Sequence, residues 1–111
     1  MVWNIYFFQT PRGEKVVKEF IKGLQGNTIG KVSQNIELLK IHGPFLGMPY
    51  SKMLAKGLYE LRIRGREEIR IIYTFSGKNI HLLHAFKKQT QKTPVKEIRI
   101  AIGRRKLLDK I

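Results

Sequence analysis

The stretch "LYELRIRGREEIRIIYTF", Leu58 to Phe75, decides how the rest of the chain is read. Apolar and polar residues alternate on both sides of Gly65-Arg66-Glu67, which predicts two strands joined by a three-residue turn. Side chains alternate between faces along a strand. Tyr59, Leu61 and Ile63 therefore share one face with Ile69, Ile71, Tyr73 and Phe75. Glu60, Arg62, Arg64, Glu68, Arg70 and Ile72 share the other. The turn sets Arg64 opposite Glu68 and Arg62 opposite Arg70. Like charges directly opposite one another destabilise a sheet. The Arg62–Arg70 pair thus calls for negative charge, either from Glu60 and Glu68 or from an anionic ligand.

Working outward, "SGKN" is a turn signal and Asn79 to Lys87 is a third strand. With Gly77-Lys78 at the turn, the register pairs Phe75 with Ile80, Tyr73 with Leu82, Ile71 with His84 and Ile69 with Phe86. The opposite face then pairs Ile72 with Leu83, Arg70 with Ala85 and Glu68 with Lys87. One face is expected to pack on helices. The other gathers Arg62, Arg64, Arg70 and Lys87, with Lys88 and Lys92 on the adjoining loop "KKQTQKT". Planar arginine forks suit a phosphate. On this polar face, loss of the Arg70 side chain should leave the fold intact. Tyr50 and Tyr59 are available for stacking on RNA bases, or for ordinary core packing.

Upstream, "VWNIYFF" (Val2 to Phe8) reads as a strand. Thr10 and Pro11 suit the cap and first turn of a helix carrying Val16, Val17, Phe20, Ile21 and Leu24 at helical spacing. Gly26 is its stop, and Asn27 the cap of a second helix with Ile29, Val32, Ile36 and Leu39 on one stripe. Gly43 and Pro44 end that helix, and Gly43 to Leu54 reads as loop. Downstream, Thr93 and Pro94 open a last helix running to the C-terminus. The order is β-α-α-β-β-β-α, a single α+β domain over residues 1–111 with a mainly antiparallel sheet packed against helices.

The formal net charge is +14 and the isoelectric point is near 10.4. Residues 52–111 hold sixteen Lys/Arg against five Asp/Glu, whereas residues 1–51 hold six against three. The positive excess therefore sits on the sheet and the segments C-terminal to it. Such a field favours a polyanionic partner: nucleic acid, ribosome, acidic protein or anionic membrane. There is no cysteine, which excludes disulfides, thiolate metal sites and a cysteine nucleophile. The expected location is the cytoplasm, with which a cysteine-free chain is compatible; the N-terminus does not resemble a signal peptide, and no apolar run is long enough to span a membrane. His81 and His84, three apart on a strand, point to opposite faces and make a poor metal pair; His84 reads as a hydrogen-bonded residue of the apolar face. No acidic cluster, glycine-rich phosphate loop or serine triad appears, so no metal or cofactor is expected.

Taken together, "GLYELRIR", "IRIIYTF" and "LLHAFKKQTQKTPVKEI" make the chain resemble the RelE/HigB-like type II toxin family, nearest its phage-derived HigB-type branch. The likeness extends from "NIYFFQTPRGEKVVKEFI" to the final helix. It implies a RelE-like compact domain that cleaves mRNA on the ribosome with basic side chains rather than a metal. It also implies a cognate antitoxin, for instance one bearing a helix-turn-helix domain. Arg62 matches the basic residue of the family's "ELR" strand. Arg70 matches the arginine of its "YRI/YRV" strand, with Ile69 in place of the usual aromatic. Lys87 and Lys88 match its "FKK" pair. Glu60 stands where some relatives carry lysine, and the family's C-terminal Tyr or His has no match.

The expected catalytic set is thus Arg62, Arg70, Lys87 and Lys88, with Arg64, Lys92, Arg104 and Arg105 binding RNA. The implied chemistry is metal-independent attack of a 2′-OH on the adjacent phosphorus. The alternative is a non-catalytic basic RNA- or protein-binding module of phage origin.

Overall fold

The decisive stretch folds as its alternation predicts. In a computed structural model that describes residues 2–109, β3 (Leu58–Ile63), β4 (Ile69–Ser76) and β5 (Asn79–Lys87) form an antiparallel meander. Gly77, at φ +60°, makes the tight turn between the last two. Ahead of the meander come β1 (Asn4–Phe7), α1 (Val16–Lys22), α2 (Gly26–His42), a single 3-10 turn (Gly43–Phe45) and β2 (Ser51–Ala55); α3 (Val95–Leu108) comes after it. The sheet order is β1-β5-β4-β3-β2. Only β1 runs parallel to its neighbour, so the sheet is mainly antiparallel. This is the α+β, RelE-like arrangement expected.

Local chemistry moves several boundaries. The Thr10 hydroxyl accepts the Glu14 amide at 3.0 Å and its carbonyl accepts the Gly13 amide at 2.8 Å. These bonds close a turn, so α1 starts at Val16 rather than beside Pro11. Gly26 opens α2 instead of ending α1, and the Asn27 side chain accepts the amide of its neighbour Thr28 at 2.9 Å. Ser51–Ala55 is a strand, not loop: it adds to the sheet edge along β3. The Thr93 hydroxyl bonds the Glu60 carboxylate rather than capping α3, whose N-cap is Pro94. Residues 110 and 111, the predicted end of α3, lie outside the described residues.

Helices cover both faces of the sheet, not one. On the first face, Val17, Val32 and Leu39 from α1 and α2 pack on Leu61, Ile63, Ile69, Ile71, Tyr73, Ile80 and Leu82. On the second, Ala101 of α3, with Ile98 and Ile102 beside it, packs on Leu58, Ile72, Leu83, Phe86 and Phe8.

One β-bulge alters the predicted register. Tyr73 pairs with Leu82 as expected, but Ile72 pairs with His84, leaving Leu83 as an extra residue. From there Ile71 meets Ala85, Arg70 meets Phe86 and Ile69 meets Lys87. The extra residue exchanges the faces of every later position on β5. His84 turns toward α3, and Lys87 turns toward the α2 side.

Candidate functional site

Arg62 and Arg70 do lie directly opposite each other on β3 and β4. The negative charge that this pair needs is supplied in part from within. Arg70 is only 1% exposed, with Nε 3.6 Å from Oε1 of the buried Glu60 and Nη2 3.2 Å from Oε1 of Glu68. Its Nη1 donates to the Ile69 carbonyl at 3.1 Å. Arg70 is therefore not on an open polar face. It is a buried cation held between two carboxylates, and its removal strands the Glu60 charge in the sheet. Arg62 is half-buried; its Nη1 approaches Met48 Sδ at 3.4 Å, while its Nε is buried without an acceptor.

α3 covers only part of the second face. Beyond its N-terminal end, Arg62, Arg64, Arg70, Glu68 and Lys88 line a cleft of about 580 Å³, rimmed by the Gln89–Gln91 loop. The Lys88 amide donates to the Glu68 carbonyl at 2.7 Å, which fixes the lysine at the cleft edge. Loss of hydration pushes the Lys88 ammonium below its ordinary pKa of 10.5. Arg70 and Arg62 push the same way, against the opposing pull of Glu60 and Glu68.

The other expected residues stand elsewhere. The bulge carries Lys87 away from the cleft, and its ammonium pairs with Glu67, which also accepts the Thr28 hydroxyl of α2 at 3.3 Å. Lys92 is exposed on the loop and does not line the cleft. Arg104 donates to the Leu83 carbonyl at 2.8 Å, lies 3.2 Å from His84 Nδ1 and sits over the Phe8 ring at 5.6 Å. Burial lowers its pKa. Arg105 donates to the Lys56 carbonyl at 3.0 Å. Both arginines fasten α3 to the sheet, and Arg104 lies ten residues, about 15 Å of helix, beyond Pro94. His84 Nε2 is 2.7 Å from Glu97 Oε1, so the histidine ties α3 down from the sheet side. Burial lowers its pKa more than the Glu97 carboxylate raises it.

Glu60 and Glu68 were visible in the sequence as neutralising neighbours. Met48 and Asn35 were not: Asn35 of α2 donates to the Arg62 carbonyl at 3.0 Å, a contact no strand or helix periodicity encodes. Among the described residues, no three His, Asp or Glu side chains gather into a metal-binding group, and no helix is long and apolar enough to cross a membrane.

No curated protein sequence matches the chain. A family model does, over residues 19–106, and its description reads "Phage derived protein Gp49-like". That span takes in the second half of α1, all of α2, β2 through β5, the arginine-lined cleft and most of α3; the chain belongs to the phage-derived Gp49-like family.

Proposed function

We propose that this protein is the toxin of a type II toxin–antitoxin system, a HigB-type endoribonuclease that cuts mRNA on the ribosome without a metal of its own. The observation that carries the reading is Lys88, an amine with a lowered pKa at the edge of an arginine-lined cleft. In the reaction the 2′-oxygen bonds to the adjacent phosphorus, its proton passes to a base, and the bond to the 5′-oxygen breaks as that oxygen takes up a proton. A cyclic phosphate and a 5′-OH result. Arg62 faces the charge that builds on the phosphate, the buried Arg70 adds its positive field from beneath, and Lys88 receives the 2′-OH proton. Arg64 anchors the flanking backbone. The ribosome orients the strand, so a minimal set of side chains suffices. The partners are ribosomal RNA, mRNA and an antitoxin whose acidic or amphipathic segment closes the cleft.

One observation favours the alternative, a binding module without catalysis: Glu60 and Glu68 already neutralise much of the Arg70 charge. Mapping of mRNA 5′ ends on programmed ribosomes separates the two. The wild-type protein should generate new 5′-OH ends. Lys88→Ala should slow their formation by about 10²–10⁴-fold, the range for a lost acid–base group. Lys87→Ala, which loses only the exposed pair with Glu67, should stay within a fewfold of wild type. Unchanged cleavage by Lys88→Ala would remove the role assigned to that amine. No cleavage by the wild type would favour the binding module.

A further inference from the structure

Arg62 and Arg64 line a second cleft as well as the first. It measures about 340 Å³ and lies between α2 and the end of β3, behind the two arginines. Pro49 and Tyr50 form one wall, and Lys31 and Gln34 of α2 form the other. Its volume is at the lower end of ligand pockets, room for one small planar group rather than a large ligand.

The wall is fixed at both ends of Arg62. The Arg62 amide donates to the Tyr50 carbonyl at 2.8 Å, and its carbonyl accepts Asn35 Nδ2 at 3.0 Å. Between these anchors the Arg62 Nε–H is buried and has no acceptor. A buried donor left without a partner is costly, so the Arg62 side chain is not locked by a strong bond of its own at this point. The two tyrosines with stacking potential part company here. Tyr59 is stacked on Tyr73 at 5.6 Å and meets Phe75 edge-on at 5.3 Å, inside the core. Tyr50 lines the second cleft with 42% of its surface open. Gln34 is exposed and offers one donor and one acceptor group, the pattern that reads a base edge.

We propose that the second cleft is a nucleobase subsite, which takes the base next to the phosphate held in the first cleft, stacks it on Tyr50 and reads its edge through Gln34. The ligand is single-stranded RNA, whose bases are free to leave the stack. Arg62 and Arg64 stand at the divide, where they meet the backbone as it passes from one cleft to the other. Lys31, whose ammonium reaches the Gly65 turn, adds positive charge at the rim. The inference rests on reading the first cleft as the place of cleavage.

Two measurements test it. On programmed ribosomes, Tyr50→Ala should cut about fivefold to about 150-fold less, the loss expected for one base stacked on an aromatic ring. Tyr50→Phe should restore cutting, because the ring is kept. Gln34→Ala should keep cutting but flatten the base preference at one position beside the cut. Wild-type rates and wild-type preferences in both Tyr50→Ala and Gln34→Ala would overturn the subsite. If the wild-type protein cuts nothing, the cleavage reading fails, and the subsite is judged by binding. A 2′-O-methyl RNA trimer should then bind the wild-type protein about fivefold or more tighter than the same trimer with its central base removed. Tyr50→Ala should bind the two equally. Equal affinity of the wild-type protein for both trimers would overturn the proposal independently of catalysis.

Discussion

The two faces of the sheet are built by the same strands and solve different problems. On the α1/α2 side, Leu61, Ile63, Ile69, Ile71 and Tyr73 form an unbroken apolar layer. On the α3 side, Leu58, Ile72, Leu83 and Phe86 form an apolar half, and Glu60, Arg62 and Arg70 form a charged half beside them. The first face is held by burial of apolar surface, which tolerates no gap. The second is divided: the half under α3 supports the helix, and the half beyond it opens the cleft. A sheet can therefore carry a buried cation at its centre because its other side is wholly committed to the core.

The sharpest break in that comparison is the adjacent pair Arg70 and Ile71, which point to opposite faces. Arg70→Ala should destabilise the protein by about 3–5 kcal/mol, because it leaves the buried Glu60 carboxylate without its counter-ion. Ile71→Ala should cost about 2–5 kcal/mol through a cavity in the apolar layer. A companion change distinguishes the causes. Adding Glu60→Gln should recover much of the Arg70→Ala loss and none of the Ile71→Ala loss. Chemical denaturation measures all four variants; no recovery of the Arg70→Ala loss by Glu60→Gln would mean that Arg70 acts by packing and not by charge.

A smaller effect sharpens the divided face. His84 is lowered from its ordinary pKa of 6.5, chiefly by burial, and His81 is lowered in the same direction. Near and below that value the unfolded chain binds protons that the folded protein refuses. Stability should therefore be fully present above about pH 6.5 and decline as the pH falls toward the lowered folded values. Thermal melts between about pH 7.5 and about pH 5.5 should show this slope, and His84→Gln should flatten it. A rise in stability on acidification would mean that the Glu97 partner outweighs burial at the α3 contact.

The meander, the helical hairpin and the Arg62–Arg70 juxtaposition were legible because each rests on local alternation or helical spacing. The features that were not legible depend on contacts distant in sequence. β2 comes after a segment with Gly43, Pro44, Gly47 and Pro49, which reads as loop, and its pairing with β3 decides otherwise. The bulge at Leu83 adds one residue to a regular pattern, and that single residue moves Lys87 out of the cleft and His84 under α3. Arg70 is buried beside Glu60, a carboxylate that the Thr93 hydroxyl, at the foot of α3, also bonds. Arg104 and Arg105 were legible as basic, but their use as docking groups for α3 requires the carbonyls of Leu83 and Lys56 at hand.

The parallel pairing of β1 with β5 has a consequence for the order in which the molecule assembles. β3, β4 and β5 are consecutive and need only short loops to meet, whereas residues 4–7 must find residues 79–82. Closing so long a loop carries an entropic cost before any contact repays it. The sheet should therefore be completed last at its N-terminal edge, where the Trp3 amide donates to the Lys40 carbonyl at 2.8 Å and its ring meets Phe75 edge-on at 5.7 Å. Trp3 is the sole tryptophan in the chain. Refolding tracked by indole fluorescence thus watches the two distant segments join, and it should lag behind amide protection in the meander; simultaneous signals would place that closure in the folding nucleus itself.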